Sequence, residues 1–339
     1  MQHYLYTLCF DAPVHFGMAE RGGGLEHTDM AMTADALFSA ILAELSAAGE
    51  HDALRKLLDH VQRGSLRISD LLPWREREDG AWDFYLPRPV LPEDMAAQPR
   101  RPDSYAEACA FMGVHKQQKR LSYIRAGRMQ EYLESLREGR PFDEPAAFGQ
   151  EILHQRVNCR GEEPLPYFVG SFVFHEQAGL YLIVSTESED VVEAMSPLLE
   201  FMGQSGIGGK RSSGYGKFHL ADDAVLLSED AVYGEDDAAL YRLLTDEAAE
   251  WQMTLSPVLP DARDIETVAQ GFYHLRHVGG FVTTAALAEK KNSICLLDSG
   301  SCLRERVPGS MASLGQNEGH PVLRYGYGLY VGLGGIWKG

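Results

Sequence analysis

Between Gly203 and Gly216 the chain carries six glycines, at 203, 206, 208, 209, 214 and 216. That density fits neither a helix nor a strand. Glycine reaches backbone angles closed to other residues, so such a run closes a tight turn or brings backbone close to something else. The same run holds Lys210, Arg211, Lys217, the hydroxyls of Ser212 and Ser213, and the ring of Tyr215, with no acid between Gly203 and Leu220. Free backbone amides beside cations make an anion site, and a phosphate backbone is the ligand that suits Gly206, Gly208, Gly209, Lys210, Arg211, Ser212, Ser213, Gly214, Tyr215 and Lys217 together. The plainer alternative is a surface loop whose glycines serve turn geometry alone.

Three better-known glycine motifs do not fit. A P-loop needs Ser or Thr after its lysine, and Lys210 is followed by Arg211. A dinucleotide fingerprint needs a third glycine where Arg211 stands. The RNA-recognition octapeptide is half met by Gly214-Tyr215-Gly216 but broken by Ser213 and Lys217.

The whole chain is acidic, with 339 residues, net charge −18 and a pI near 5.1. This argues against indiscriminate binding to nucleic acid or anionic membranes, so the placement of charge matters more than the total. Nine acids lie from Asp222 to Glu247 against Arg242 alone, whereas seven bases lie from Lys116 to Arg140 against three acids. A basic helix over about Ile124–Glu138 is expected, with Lys116, Lys119, Arg120, Arg125 and Arg128 as candidates to line an RNA path. The five cysteines show no C-x-x-C pair and no disulfide framework; Cys9, Cys159 and Cys295 read as small core residues. Without a secretory signal or a long apolar run, the expectation is a cytoplasmic chain with no membrane partner.

Hydrophobic periodicity predicts a strand over His3–Phe10 and a helix with Thr33 as N-cap carrying Leu37, Phe38, Ile41, Leu42 and Leu45. A second helix follows from about Asp52. Ten of the sixteen prolines fall between Pro73 and Pro166, and residues 73–150 read as an insertion. Phe168–Phe174 and Leu180–Thr186 read as a hairpin, and Asp190–Met202 as a helix ahead of the glycine-rich loop 203–218 and a strand from Phe218. That order gives a ferredoxin-like β-α-β-β-α-β unit over 1–221. An acidic linker and helix span 222–247, and 248–339 reads as a β-rich second domain. The fold class is α+β.

Several segments resemble one family. Pro13-Val14-His15-Phe16-Gly17, Ala34-Asp35-Ala36-Leu37-Phe38-Ser39-Ala40-Ile41, Gln155-Arg156-Val157-Asn158-Cys159-Arg160, Gly206 to Phe218, Gly279-Gly280-Phe281-Val282, Gly300-Ser301-Cys302 and His320 to Gly326 are similar, in order, to blocks of the fourth Csm-type subunit of type III-A CRISPR interference complexes, a RAMP-superfamily protein. Ala34 and Ala36 replace the family's usual Ser and Thr, and Val157 interrupts its Arg-Arg-Asn pattern. The resemblance implies two ferredoxin-like (RRM-like) domains of RAMP type and a non-catalytic subunit of an antiviral ribonucleoprotein complex. It also implies crRNA as a partner, gripped at its 5′ repeat-derived handle, and docking on the large Palm-domain subunit and a backbone RAMP subunit. No metal or cofactor is called for.

Beside the loop, Arg156, Asn158 and Arg160 form a donor set suited to phosphate or base edges. His15 is expected near the loop, either on RNA or packed beneath it, and Tyr215 either stacks on a base or packs inward. A repeat-processing endoribonuclease using His15, and a scaffold that binds only protein, are the competing readings.

Overall fold

The computed structural model describes residues 1–17, 24–92, 104–159, 163–279, 281–283, 288–290, 292–317 and 320–334. Arg160 and Gly280 lie outside the described residues. The first strand, β1 (Gln2–Phe10), alternates as expected, sending Tyr6 and Leu8 to one face of the sheet and Leu5 to the other. Helices α1 (Ala34–Ala47) and α2 (His51–Gln62) follow, then β2 (Leu66–Ile68), β3 (Leu72–Glu76) and β4 (Trp82–Pro87). Next come α3 (Tyr105–Arg120), β5 (Tyr123–Arg125), α4 (Met129–Glu138), β6 (Gly149–Asn158), β7 (Leu165–Phe174) and β8 (Ala178–Thr186). Helix α5 (Glu189–Ser205), β9 (Phe218–Leu220), β10 (Val225–Leu226), α6 (Glu235–Thr245) and β11 (Trp251–Thr254) lead into the last third.

The central sheet is antiparallel. Strand β1 pairs with β8 from Gln2↔Thr186 to Leu8↔Leu180, and β9 pairs on its other side. Strands β2 and β3 share the far edge of β8. The order β9–β1–β8–β2, with α1 and α5 as the crossovers, is that of a ferredoxin-like unit. Helix α1 buries Leu37, Phe38, Ile41 and Leu45, and α5 buries Val191, Met195, Leu199 and Met202, against Tyr6, Leu8, Leu180, Leu182 and Val184. The opposite face, with Leu5, Tyr181 and Ile183, is covered by α4, α6 and β11. The last third is β-rich: β11 lies between Cys302–Leu303 and Tyr330–Leu333, and the described remainder forms two-stranded ribbons such as Leu275–Val278 with Ile294–Leu297.

Local expectations shift in four places. The 168–186 hairpin does not form: β7 pairs along its whole length with β6, from Gly149↔Phe174 to Asn158↔Leu165, while β8 enters the sheet centre. Every residue of β8 is buried, which suits a central strand, whereas the outer half of β7 is exposed. Within 73–150, β3 and β4 pair with each other and β3 pairs with β8 in the central sheet. The expected basic helix divides: Lys116, Lys119 and Arg120 end α3, while Arg125 and Arg128 precede α4. Arg125 pairs with Asp83, Glu235 and Asp236, and Arg128 with Glu131 and Glu144, so neither is a free cation. Cys159 and Cys295 are exposed rather than core, and Cys302 is buried.

Part of the acidic segment is also used internally. Asp236 is fully buried, accepting from the Phe84 amide at 3.0 Å, the Gly127 amide at 3.2 Å and Arg125 Nε at 3.1 Å. Burial pushes its carboxyl up to about 6 against the pull of Arg125. Asp237 accepts from the Val232 and Gly234 amides and so starts α6. Among the described residues, no helix is long and apolar enough to cross a membrane.

The strand edge on β8 breaks between β2 and β3, at Asp70. There the Asp70 amide donates to Leu255 O and the Leu71 amide to Met32 O, tying the sheet to the last third and to the α1 entry. Thr33 occupies the α1 N-cap position but makes no side-chain cap bond; Asp70 Oδ1 accepts the Ala34 amide at 2.7 Å instead. Its other oxygen accepts from the Ser299 hydroxyl. Burial, opposed by those bonds and by Arg276, pushes the carboxyl from 3.8 up to about 8. The folded chain thus keeps a proton that the unfolded chain loses above about pH 4. This contribution is full below that pH, falls as pH rises and is exhausted above about 8. Asp70→Asn removes it, so in urea melts the variant should gain on the parent by roughly 1–3 kcal/mol between pH 5 and pH 8. An unchanged difference at the two pH values would contradict the assignment.

Candidate nucleic-acid interface

The segment 13–15 leaves β1 and is held on both sides. Val14 exchanges both backbone bonds with Phe172 of β7, at 2.8 and 2.9 Å. The carbonyls of Pro13 and His15 point the other way and accept from the Gly216 and Gly209 amides, at 2.9 and 2.8 Å. The glycine-rich loop therefore closes against this segment, and the Ile207 amide bonds Gly216 O at 3.0 Å to shut its neck. Two glycines make that approach possible. At Gly208, φ +84°, a Cβ would lie 2.7 Å from the Phe16 ring and 2.8 Å from His15 O; at Gly216, φ +74°, it would lie 1.9 Å from Ile207 O.

Lys210 at the tip has φ 62° and ψ 20°, and is the one described non-glycine residue with positive φ. A 3₁₀ turn over Arg211–Ser213 follows, closed by Ser213 N to Lys210 O and Gly214 N to Arg211 O, both 2.8 Å. The amides of Gly209 and Gly214 are thus used within the protein. Among the described residues, the amides of Gly208, Lys210, Arg211 and Ser212 reach no protein acceptor. Successive amides across a left-handed and then a right-handed residue form a concave anion-binding nest.

The expected side chains divide by position. Ser212, Ser213 and Lys217 are exposed. Lys210 Nζ lies 5.4 Å from the centre of the Tyr167 ring on β7. Arg211 is tied to α1, with Nη2 2.8 Å from Glu44 Oε2 and 2.9 Å from Ser205 Oγ. Tyr215 is 6% exposed and packs inward; Arg156 Nη2 donates to its hydroxyl at 3.2 Å and lies over its ring. His15 is 5% exposed and packs beneath the loop, with Nδ1 donating to Gly170 O at 2.7 Å and its Cδ2 against Gly209. With Nδ1 bonded to the β7 backbone and the ring under Gly209, it sets the loop's position. Asn158 is exposed at the outer end of β6.

Tyr167 and Glu44 belong to the site and were not found from sequence. Tyr167 sits in a strand whose alternation marks exposure rather than partners, and Glu44 is one acid on an ordinary helix face. Beside the tip runs a cleft of about 350 Å³, lined by Phe16, Asp29, Met32, Gly208, Arg211 and, from the last third, Arg276. Cation, aromatic face and free amides together suit a single strand bound through phosphate and splayed bases.

The neck is expected to tolerate no side chain. Gly216→Ala should lower stability by on the order of 3 kcal/mol, because strain at positive φ adds to a clash with backbone. Gly214→Ala, at φ +85° but in open space, should cost about 1 kcal/mol. Thermal melts giving equal losses for the two would contradict the described closure.

The chain is similar to known proteins along most of its length. A family model described as the CRISPR Csm4 C-terminal domain matches residues 247–333. The chain is 28% identical over 345 residues to the CRISPR system Cms protein Csm4 of Mycobacterium tuberculosis, covering 98% of each. It is 26% identical over 341 residues to the Csm4 protein of Streptococcus thermophilus, covering 98% of this chain and 99% of that one. Among solved structures, a Csm3–Csm4 subcomplex of the type III-A interference complex superposes with a TM-score of 0.62 at 15% identity, covering 99% of this chain and 100% of that one. A Csm1–Csm4 cassette in complex with cA4 gives 0.59 at 19% identity, covering 98% of each. The α+β fold is common to the solved structures, the curated Csm4 relatives match the chain almost end to end, and residues 247–333 match the Csm4 C-terminal domain.

Proposed function

We propose that this chain is a non-catalytic crRNA-binding subunit of a type III-A effector complex, holding the 5′ repeat-derived handle in the glycine-rich loop. The observation that carries the reading is the tip at 208–212. Unbonded amides converge there beside Lys210, with Lys217 exposed near by, in a chain of net charge −18. Phosphates fit the amides and cations, and Tyr167 with Lys210 gives a face for a base. Docking on a large Palm-domain subunit and a backbone RAMP subunit is supported by relatives solved as Csm1–Csm4 and Csm3–Csm4 assemblies.

The burial of His15 beneath the loop, at 5% exposure, supports binding over ribonuclease chemistry, since a general base must reach the proton it removes. Arg211 shares its charge with Glu44, so Lys210 and Lys217 are the cleaner probes. Lys210→Ala with Lys217→Ala should weaken handle-RNA binding and lower the log–log salt slope by about 1.4, two phosphate contacts at roughly 0.7 each on a single strand. Filter binding at several salt concentrations reads this directly. An unaltered slope would remove the loop from the RNA path, and a specific cut in repeat RNA that His15→Ala abolishes would favour the ribonuclease.

A further inference from the structure

A second cavity, of about 430 Å³, opens at the start of β1, the end away from the glycine-rich loop. The β1 strand alone, at roughly 3.3 Å per residue, separates the two by about 25 Å. Strands β1, β2 and β8 supply His3, Arg67 and Ser185 to its walls, and the last third supplies Arg306, Leu329 and Tyr330. The volume falls in the range of small-molecule sites, roughly 300–1,000 Å³.

Its charge is unusual for so acidic a chain. Arg67 is fixed, with Nη1 donating to Val61 O at 3.1 Å and Leu66 O at 3.0 Å and its guanidinium 4.6 Å from the Tyr327 ring centre. Among the described residues no carboxylate pairs with it. Arg306 is held by Gln252 Oε1 at 2.6 Å and Leu244 O at 3.0 Å, and its one ion-pair partner among the described residues, Glu247 at 3.3 Å, has a side chain 78% exposed at the mouth. His3 is 8% exposed, with Nδ1 2.6 Å from Ser185 Oγ. Burial pushes His3 down to about 4, and the charges of the Met1 amino group and Arg306 add to the shift. Burial also lowers Arg306, against the opposing pull of Glu247 and Asp246. Burial is the first cause of both shifts, and at His3 the neighbouring positive charges act in the same direction.

We propose that this cavity binds a small phosphomonoester, with Arg67 and Arg306 on the phosphate oxygens and Ser185 and His3 at its base. Guanidinium forks match phosphate, and a stacked arginine gives up little freedom on binding. Two guanidiniums, a hydroxyl and an imidazole offer more donors than one carboxylate accepts, and a dianion is what such a set neutralises. Leu244, Val307, Leu329 and Tyr330 leave an apolar wall for the organic remainder.

The test is a titration of the full chain with adenosine monophosphate, with inorganic phosphate and with acetate, following the His3 ring by NMR and identifying its signal by His3→Gln. Both phosphates should move the His3 signal and raise its midpoint by about one unit, since an anion favours imidazolium; acetate should leave it in place. Arg67→Gln should weaken the monophosphate at least about tenfold, and Glu247→Gln, which removes the carboxylate at the mouth, should tighten it. Handle-RNA binding should be unaffected by either change. A His3 signal unmoved by phosphate at about 10 mM, an equal response to acetate, or equal affinity in folded Arg67→Gln would overturn the site. Should Arg67→Gln fail to fold, Glu247→Gln decides: tighter binding supports the site and unchanged binding overturns it.

Discussion

Everything near the candidate RNA site depends on one short stretch of extended backbone, residues 13–15, bonded on both edges. Val14 turns its amide and carbonyl to β7, while the carbonyls of Pro13 and His15 accept from the glycine-rich loop. A strand has only these two edges, and both are occupied. The loop at 206–216, the ribbon of β6 and β7 and the strand β1 are therefore fixed relative to one another by backbone bonds, with His15 inserted between loop and ribbon through Gly170 O. Glycine is required where the backbones meet, at Gly208 and Gly216, and this leaves the cationic tip free of the packing that holds the neck.

The same economy governs charge. The protein is strongly acidic, yet Asp236, Asp237 and Asp70 work inside it, accepting backbone amides where elements join. Two arginines that look like a basic surface in sequence are likewise paired internally, Arg125 with Asp236 and Arg128 with Glu144. A cation is informative here when it lacks a carboxylate and borders free amides or a cavity, as Lys210 and Arg67 do. Placing the loop on one end of β1 and Arg67 near the other keeps the two positive regions apart.

Local pattern was enough for β1, α1, α5 and the loop, because each is set by residues close in sequence: an alternation, a helical stripe or a glycine run. Partner choice was not legible. Strand β7 lies between β6 and β8 in sequence, and only the complete burial of β8 shows which one it leaves. Helix α3 carries its apolar residues as one dense run over 105–114 and not as a single helical stripe, and Thr33 looked like a cap because the true acceptor, Asp70, lies 36 positions from Ala34. At the site, the glycines, Lys210 and Lys217 could be read from sequence. The Lys210–Tyr167 and Arg211–Glu44 contacts join elements far apart in the chain. Nothing local marks them, and the choice between a buried and an exposed His15 or Tyr215 likewise needed the neighbours.

Residue-resolved amide hydrogen exchange across 206–217, with and without handle RNA, is the most direct measurement of a pre-formed phosphate cradle. In the free chain Gly209 and Gly216 should exchange slowly, being bonded to His15 and Pro13, while Gly208, Lys210, Arg211 and Ser212 exchange fast. Bound RNA should slow those four by at least about tenfold and leave the bonded pair little changed. If RNA binds while the four amides go on exchanging as in the free chain, the phosphates lie elsewhere and the loop is not their cradle.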